Sequence, residues 1–114
     1  MKKINIIQKN EDYNRIIKNN KPLIYKDYMI FLERNKNINN YSFGFSISKK
    51  LCNAVNRNKI KRQLKNIIDK KYYQKNFNCI IIVRKSILEK TYQEKEKVLL
   101  EALEKLNIYD KGEN

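Results

Sequence analysis

The 114-residue chain has no histidine, two glycines, one proline and two cysteines. Without histidine it lacks the side chain that most readily moves protons near neutral pH and the usual nitrogen partner of cysteine in zinc sites. Cys52 and Cys79 lack a metal-type spacing and read as reduced, partly buried thiols. Two glycines cannot build a glycine-rich phosphate loop. The carboxylates are few and scattered, so no residue is nominated as catalytic. Glu94, Glu96, Glu101 and Glu104 are interspersed with Lys95, Lys97 and Lys105, and are expected to pair with them on a solvated helix face. Long apolar runs are also missing. Met1, Lys2 and Lys3 give a basic start, but Ile4, Ile6 and Ile7 are too short a stretch for a secretory signal, and no segment could cross a membrane. A cytoplasmic protein without a membrane partner is expected.

What remains is strongly basic and rich in isoleucine, asparagine and tyrosine. The length fits one domain, residues 1–114, with 110–114 a frayed tail that begins near Tyr109. Asn10, as a cap, precedes Glu11, Asp12 and the spaced apolar residues Tyr13, Ile16 and Ile17, which predicts a short helix ending near Asn19 or Asn20, just before Pro22. Asp27 to Arg34 reads as a strand with Tyr28, Ile30 and Leu32 on one face and Met29 and Phe31 on the other. There is room for an extra short strand before Tyr25. Asn35 to Asn40 has loop composition. Tyr41, Phe43, Phe45 and Ile47 then alternate with Ser42, Gly44, Ser46 and Ser48, a half-buried strand whose small face leaves room for something to approach. Asn53 caps a predicted helix with Ile60, Leu64, Ile67 and Ile68 on one stripe, running to about Tyr73. Cys79 to Val83 is a short apolar run suited to a strand buried on both faces. Thr91 and Glu94 form a capping box for a last helix carrying Val98, Leu99, Ala102, Leu103 and Leu106. The order helix, strand, strand, helix, strand, helix predicts an α+β two-layer sandwich with a small mixed sheet and about three helices.

Lysine and arginine outnumber acids by 26 to 12, a formal net charge of +14. Codon bias could raise lysine throughout, but it does not explain local clustering or the placement of arginine. No acid occurs from Arg34 to Ile68, while Lys49, Lys50, Arg57, Lys59, Lys61, Arg62 and Lys65 crowd the strand end and the following helix. On a helix, Arg57, Lys61 and Lys65 form a row beside the apolar stripe, with Asn58 and Arg62 further round. Like charges at this spacing repel by a few tenths of a kcal/mol per pair, roughly, so the row calls for a polyanion. Guanidinium groups bind phosphate bidentately, which singles out Arg57, Arg62 and Arg84. Asn53 and Asn58 can add bonds to sugars or base edges. Tyr13, Tyr28 and Phe31 are candidates either for core packing or for stacking on unpaired bases.

The segment FGFSISKKLCNAVNRNKIKRQLK resembles the signature of the bacterial ribonuclease P protein subunit: a strand ending in SKK, then NAV, then RN at Arg57 and Asn58, then KR at Lys61 and Arg62. Weaker similarity runs from NEDY at Asn10 to Tyr13 through the helix starting near Thr91. The resemblance implies a left-handed βαβ crossover, against the usual hand. It implies a catalytic RNA subunit that, with bound Mg2+, removes the 5′ leader from precursor tRNA, and a protein that is not catalytic alone and needs no cofactor to fold. The RNA subunit would be bound by Lys49, Lys50, Asn53, Arg57, Asn58, Lys61, Arg62 and Lys65, the last standing where arginine is commoner. The unpaired leader would lie in a groove of Tyr13, Ile17, Tyr28 and Phe31. Ile17, aliphatic where an aromatic is common, cannot stack a base comparably. Cys52 stands where the family usually has glycine, so either the turn's backbone angle is an ordinary one or the turn is strained. Metal contacts by the protein are left open. The charge by itself would also suit a ribosomal or general RNA-binding protein. A basic protein on an anionic membrane fits less well, because Ile60, Leu64 and Ile67 are better used in packing on a sheet.

Overall fold

The computed structural model describes residues 1–112. Three helices, α1 (Asn10–Asn19), α2 (Ala54–Ile68) and α3 (Tyr92–Lys105), accompany four strands, β1 (Leu23–Tyr25), β2 (Tyr28–Arg34), β3 (Tyr41–Ser46) and β4 (Phe77–Val83). Short 3-10 turns occupy Lys3–Asn5 and Lys85–Glu89. The sheet order is β1-β2-β4-β3, with β1/β2 and β2/β4 antiparallel and β3/β4 parallel. Parallel neighbours need a long connection, and α2 supplies it between β3 and β4.

The alternations read in the sequence decide the layers. Tyr28 and Ile30 of β2, Phe43 and Phe45 of β3, and Phe77, Cys79, Ile81 and Val83 of β4 join one core with Ile60, Leu64, Ile67 and Ile68 of α2 and Leu99, Ala102 and Leu103 of α3. This is the two-layer sandwich. The opposite residues of the same strands, Phe31 and Ile80, form a second small core with Ile7 and Ile16, flanked by Tyr13, Met29 and Ile82. Helix α1 therefore lies on the other face of the sheet and covers part of it. The central strand β4 is buried on both sides, as its unbroken apolar run requires.

Local signals set the helix ends. Asn53 Oδ1 accepts from Asn56 N–H at 2.9 Å, capping α2. Thr91 and Glu94 complete a reciprocal capping box at α3. Asn10 is not a cap: it is the first helical residue of α1, whose start at Lys9 has no side-chain cap, and Asn10 side chain stays exposed. Helix α2 stops at Ile68 instead of running to Tyr73, because the Tyr73 ring turns into the core and its hydroxyl donates to the Ile68 carbonyl at 2.7 Å. Tyr109 is no part of a frayed tail either. It is buried, bridges Tyr73, and donates through its hydroxyl to the Leu100 carbonyl at 2.8 Å. Asp110 N–H bonds the Tyr72 carbonyl at 2.8 Å, so the chain is tied down to that point; residues 113 and 114, also assigned to the tail, lie outside the described residues.

Strand β3 is an edge strand, and its outer backbone is covered by the amino-terminal segment. Ile7 N–H bonds Phe43 carbonyl at 2.9 Å, and Tyr13 hydroxyl accepts from Phe45 N–H at 3.0 Å. What approaches the small face of β3 is thus Tyr13 itself. An added Cβ at Gly44 would sit 2.7 Å from the Tyr13 hydroxyl oxygen and 2.8 Å from its ring. Gly44→Ala should therefore destabilise the fold by about 1–3 kcal/mol, the usual cost of overpacking. A lowered urea midpoint that Tyr13→Ala partly restores in the double variant is the expected result.

Candidate nucleic-acid interface

Helix α2 is pinned by one stripe and bare on the rest. Ile60, Leu64, Ile67 and Ile68 are buried; Asn53, Asn58, Lys59 and Arg62 are exposed, and Arg57, Lys61 and Lys65 are half-buried along the stripe's edge. Lys49 and Lys50 are exposed on the turn that joins β3 to α2, where Lys50 N–H donates to Ser48 Oγ at 3.1 Å. All eight residues assigned to RNA-subunit contact thus fall on the turn or on α2. Among the described residues, no ion pair involves Lys49, Lys50, Arg57, Lys59, Lys61, Arg62 or Lys65. Acids elsewhere are engaged: Asp12 and Glu33 by Arg15, Glu96 by Lys70, and Glu104 by Lys111. The expected pairing within α3 does not form. Tertiary neighbours reach Glu96 and Glu104 instead, Glu101 accepts from the Tyr25 hydroxyl, and Lys95 turns to Gln63 of α2.

Arg57 has a second role. One guanidinium nitrogen donates to the Cys52 carbonyl at 2.7 Å, fastening the turn to the first coil of α2. Cys52 itself is not among the residues of positive φ, which are Lys26, Asn76 and Asn107 with Gly112, so the turn accepts an ordinary residue there without strain. Arg84 is exposed and bonds the Lys26 carbonyl at 3.1 Å, bracing the β1-β2 turn.

The four aromatic and aliphatic groove residues do not all meet. Tyr13 is half-buried against β3, Phe31 is buried beneath α1, and Ile17, one turn beyond Tyr13, is exposed. Tyr28 is removed from this face: it is fully buried on the side of α2 and α3, and its hydroxyl donates to the Lys95 carbonyl at 3.0 Å. The reason is the pleat, which sends Tyr28 and Phe31 to opposite sides. Register identifies what replaces it. Ile24, Met29, Ile82 and Ser46 lie in one cross-strand row, next to the row Phe31, Ile80 and Gly44 that α1 covers. Ile24 is exposed and Met29, Ile82 and Ser46 are half-buried, so this row is an open strip of sheet. It ends at β3, two residues before the turn that bears Lys49 and Lys50. Met29 was visible in the alternation as a partner of Phe31; Ile82 and Ser46 required the strand order.

At the far end of this face Arg15 clasps Glu33 with two bonds of 3.1 Å, while Asn78 donates to the same carboxylate at 2.9 Å. Arg15, helped by Asn78 and opposed by partial burial, holds the Glu33 carboxyl below its ordinary pKa.

A bare basic helix beside an open sheet strip, on a mixed α+β scaffold, defines an RNA-binding domain. The chain belongs to the ribonuclease P family, whose model, described as Ribonuclease P, matches residues 1–107. It is 34% identical over 113 residues to the ribonuclease P protein component of Streptococcus gordonii, covering 98% of this chain and 94% of the relative. Its structure resembles the RNase P protein of Staphylococcus aureus with a TM-score of 0.84 and 30% identity, over 93% of this chain and 98% of that one. The RNase P protein of Thermotoga maritima shares the fold, with a TM-score of 0.78 at 23% identity over 87% and 94% of the two chains. Among the described residues no helix is long and apolar enough to cross a membrane.

Two outcomes follow from these contacts. Arg62→Ala should leave stability unchanged and weaken RNA binding with a flatter salt dependence, since each lost phosphate contact removes about 0.9 from the slope of log affinity on log salt. Arg57→Ala should do the same and also cost about 1 kcal/mol of stability, read by denaturation, for the lost bond to Cys52. For Glu33, a depressed folded-state pKa means a stabilisation present above the ordinary glutamate value of 4.5 and lost as pH falls through the lowered one. Thermal unfolding followed from pH 7 downward should show this acid loss reduced in Glu33→Gln.

Proposed function

We propose that this chain is the protein subunit of a ribonuclease P holoenzyme, acting in the cytoplasm. In this reading Lys49, Lys50, Asn53, Arg57, Asn58, Lys61, Arg62 and Lys65 hold the RNA subunit. Tyr13, with the strip of Met29 and Ile82, accommodates the unpaired leader of precursor tRNA, Ile17 adds apolar contact without stacking, and Phe31 supports this face from beneath α1 without touching the strand. The observation that carries the proposal is the acid-free, unpaired basic face of α2 and its preceding turn, together with family membership over nearly the whole chain.

The chain's own contribution is electrostatic and positional. Seven uncompensated cations reduce the repulsion between two RNAs, and the sheet strip restricts where a single strand can lie. Among the described residues no group of three or more His, Cys, Asp or Glu side chains forms a metal cage. In this reading the Mg2+ of the holoenzyme is held mainly by the RNA subunit. In the same reading the hydrolytic chemistry belongs to the RNA subunit.

Reconstitution tests this. With the RNA subunit transcribed from the same genome, the protein should accelerate 5′ leader removal at physiological salt by at least tenfold, while protein alone leaves precursor tRNA intact. An unchanged rate would favour a ribosomal or general RNA-binding role, and cleavage by the RNA-free protein would overturn the division of labour.

A further inference from the structure

Lys95 is the only buried lysine among the described residues, with 8% of its surface exposed. Burying an ammonium is costly unless an anion or a full set of acceptors faces it. Lys95 has neither. Its ammonium carries three donors, and its acceptor is a neutral amide oxygen, Gln63 Oε1 at 2.7 Å. No carboxylate pairs with it, although Glu94 and Glu96 flank it in the chain. Burial first, and the neighbouring Lys59 second, push its pKa below the ordinary lysine value.

The side chain lines a cleft of about 330 Å³ with Cys52, Asn56, Lys59, Ile60 and Leu88. No acid lines this cleft. Two cations and one amide face it, with the buried Ile60 and the exposed Leu88 as its apolar lining. Gln63 and Lys59 lie on the opposite flank of the α2 apolar stripe from Arg57, Lys61 and Lys65. The cleft therefore continues the basic arc of α2 round from Arg62, through Lys59, onto α3. A protein face that is positive, partly desolvated and continuous with an RNA-binding helix has the properties of a phosphate seat.

We infer that Lys95 and Lys59, with Asn56, hold a backbone phosphate of the RNA subunit in the cleft between α2 and α3. This rests on the proposed function and extends it: the RNA would wrap over both flanks of α2 instead of following only the row Arg57, Lys61 and Lys65. Lys95 then has a reason to be buried without a carboxylate, since the anion that completes its environment arrives with the RNA.

The test is the salt dependence of binding between the full-length protein and the RNA subunit transcribed from the same genome. Lys95→Met keeps the packing volume and removes the charge. Gln63→Glu leaves Lys95 in place but supplies an internal carboxylate that neutralises it. Both should lower the slope of log affinity on log salt by about 0.9 without lowering the unfolding midpoint. Lys97→Gln, an exposed α3 lysine outside the cleft, should leave the slope as it is. A folded Lys95→Met or Gln63→Glu protein with the wild-type slope overturns the inference. Should Lys95→Met fail to fold, Gln63→Glu decides by itself. Failure of the wild-type protein to bind this RNA would instead defeat the underlying function, a separate result.

Discussion

The packing of Ile60, Leu64, Ile67 and Ile68 against the sheet is the contact on which the rest depends. Helix α2 carries like charges one turn apart and no acid to relieve them, so an isolated helix of this sequence would be weakened by its own side chains. Burying four large aliphatic residues, at roughly 1.5–3 kcal/mol each as an upper estimate, far exceeds that repulsion. The helix can then present an array of cations that would otherwise disperse. Because the same helix is the crossover between two parallel strands, its position is fixed at both ends by the sheet.

The molecule divides its two sheet faces between stability and access. One face is filled by α2, α3 and an aromatic group in which Tyr41 and Phe43 each lie with ring centroids 5.0–5.8 Å from Tyr73 and Phe77 and from one another. The other is only partly covered by α1, which is held by Tyr13 on β3, the Arg15 clasp on Glu33, and Ile16 between them. The uncovered row from Ile24 to Ser46 is apolar for most of its width and opens toward the basic turn. Surface of this kind beside unpaired cations suits a single strand, whose bases and phosphates need different environments.

Much of this was legible in the chain. The alternation in β3, the apolar run of β4, the Asn53 cap and the capping box of α3 each depend on neighbours in sequence, and each formed where expected. The SKK, NAV, RN and KR series was likewise enough to point to the family. The departures have different causes. Tyr73 and Tyr109 read as helix end and tail because nothing local reveals that the two rings meet across 36 residues. Tyr28 and Phe31 share aromatic character, but the alternation of β2 sends them to opposite faces of the sheet.

The sequence by itself determined the elements, the apolar stripe of α2, the acid-free basic segment and hence the kind of partner, since these follow from periodicity and charge within short windows. Only the tertiary structure decided which of each strand's two faces meets α2 and α3 and which meets α1, which row of the sheet stays open, how the amino-terminal segment seals the β3 edge, and that Lys95 lies buried beside Gln63 and Lys59 without a carboxylate. Those are relations between residues far apart in the chain, fixed by strand order and helix packing, and no local pattern encodes them.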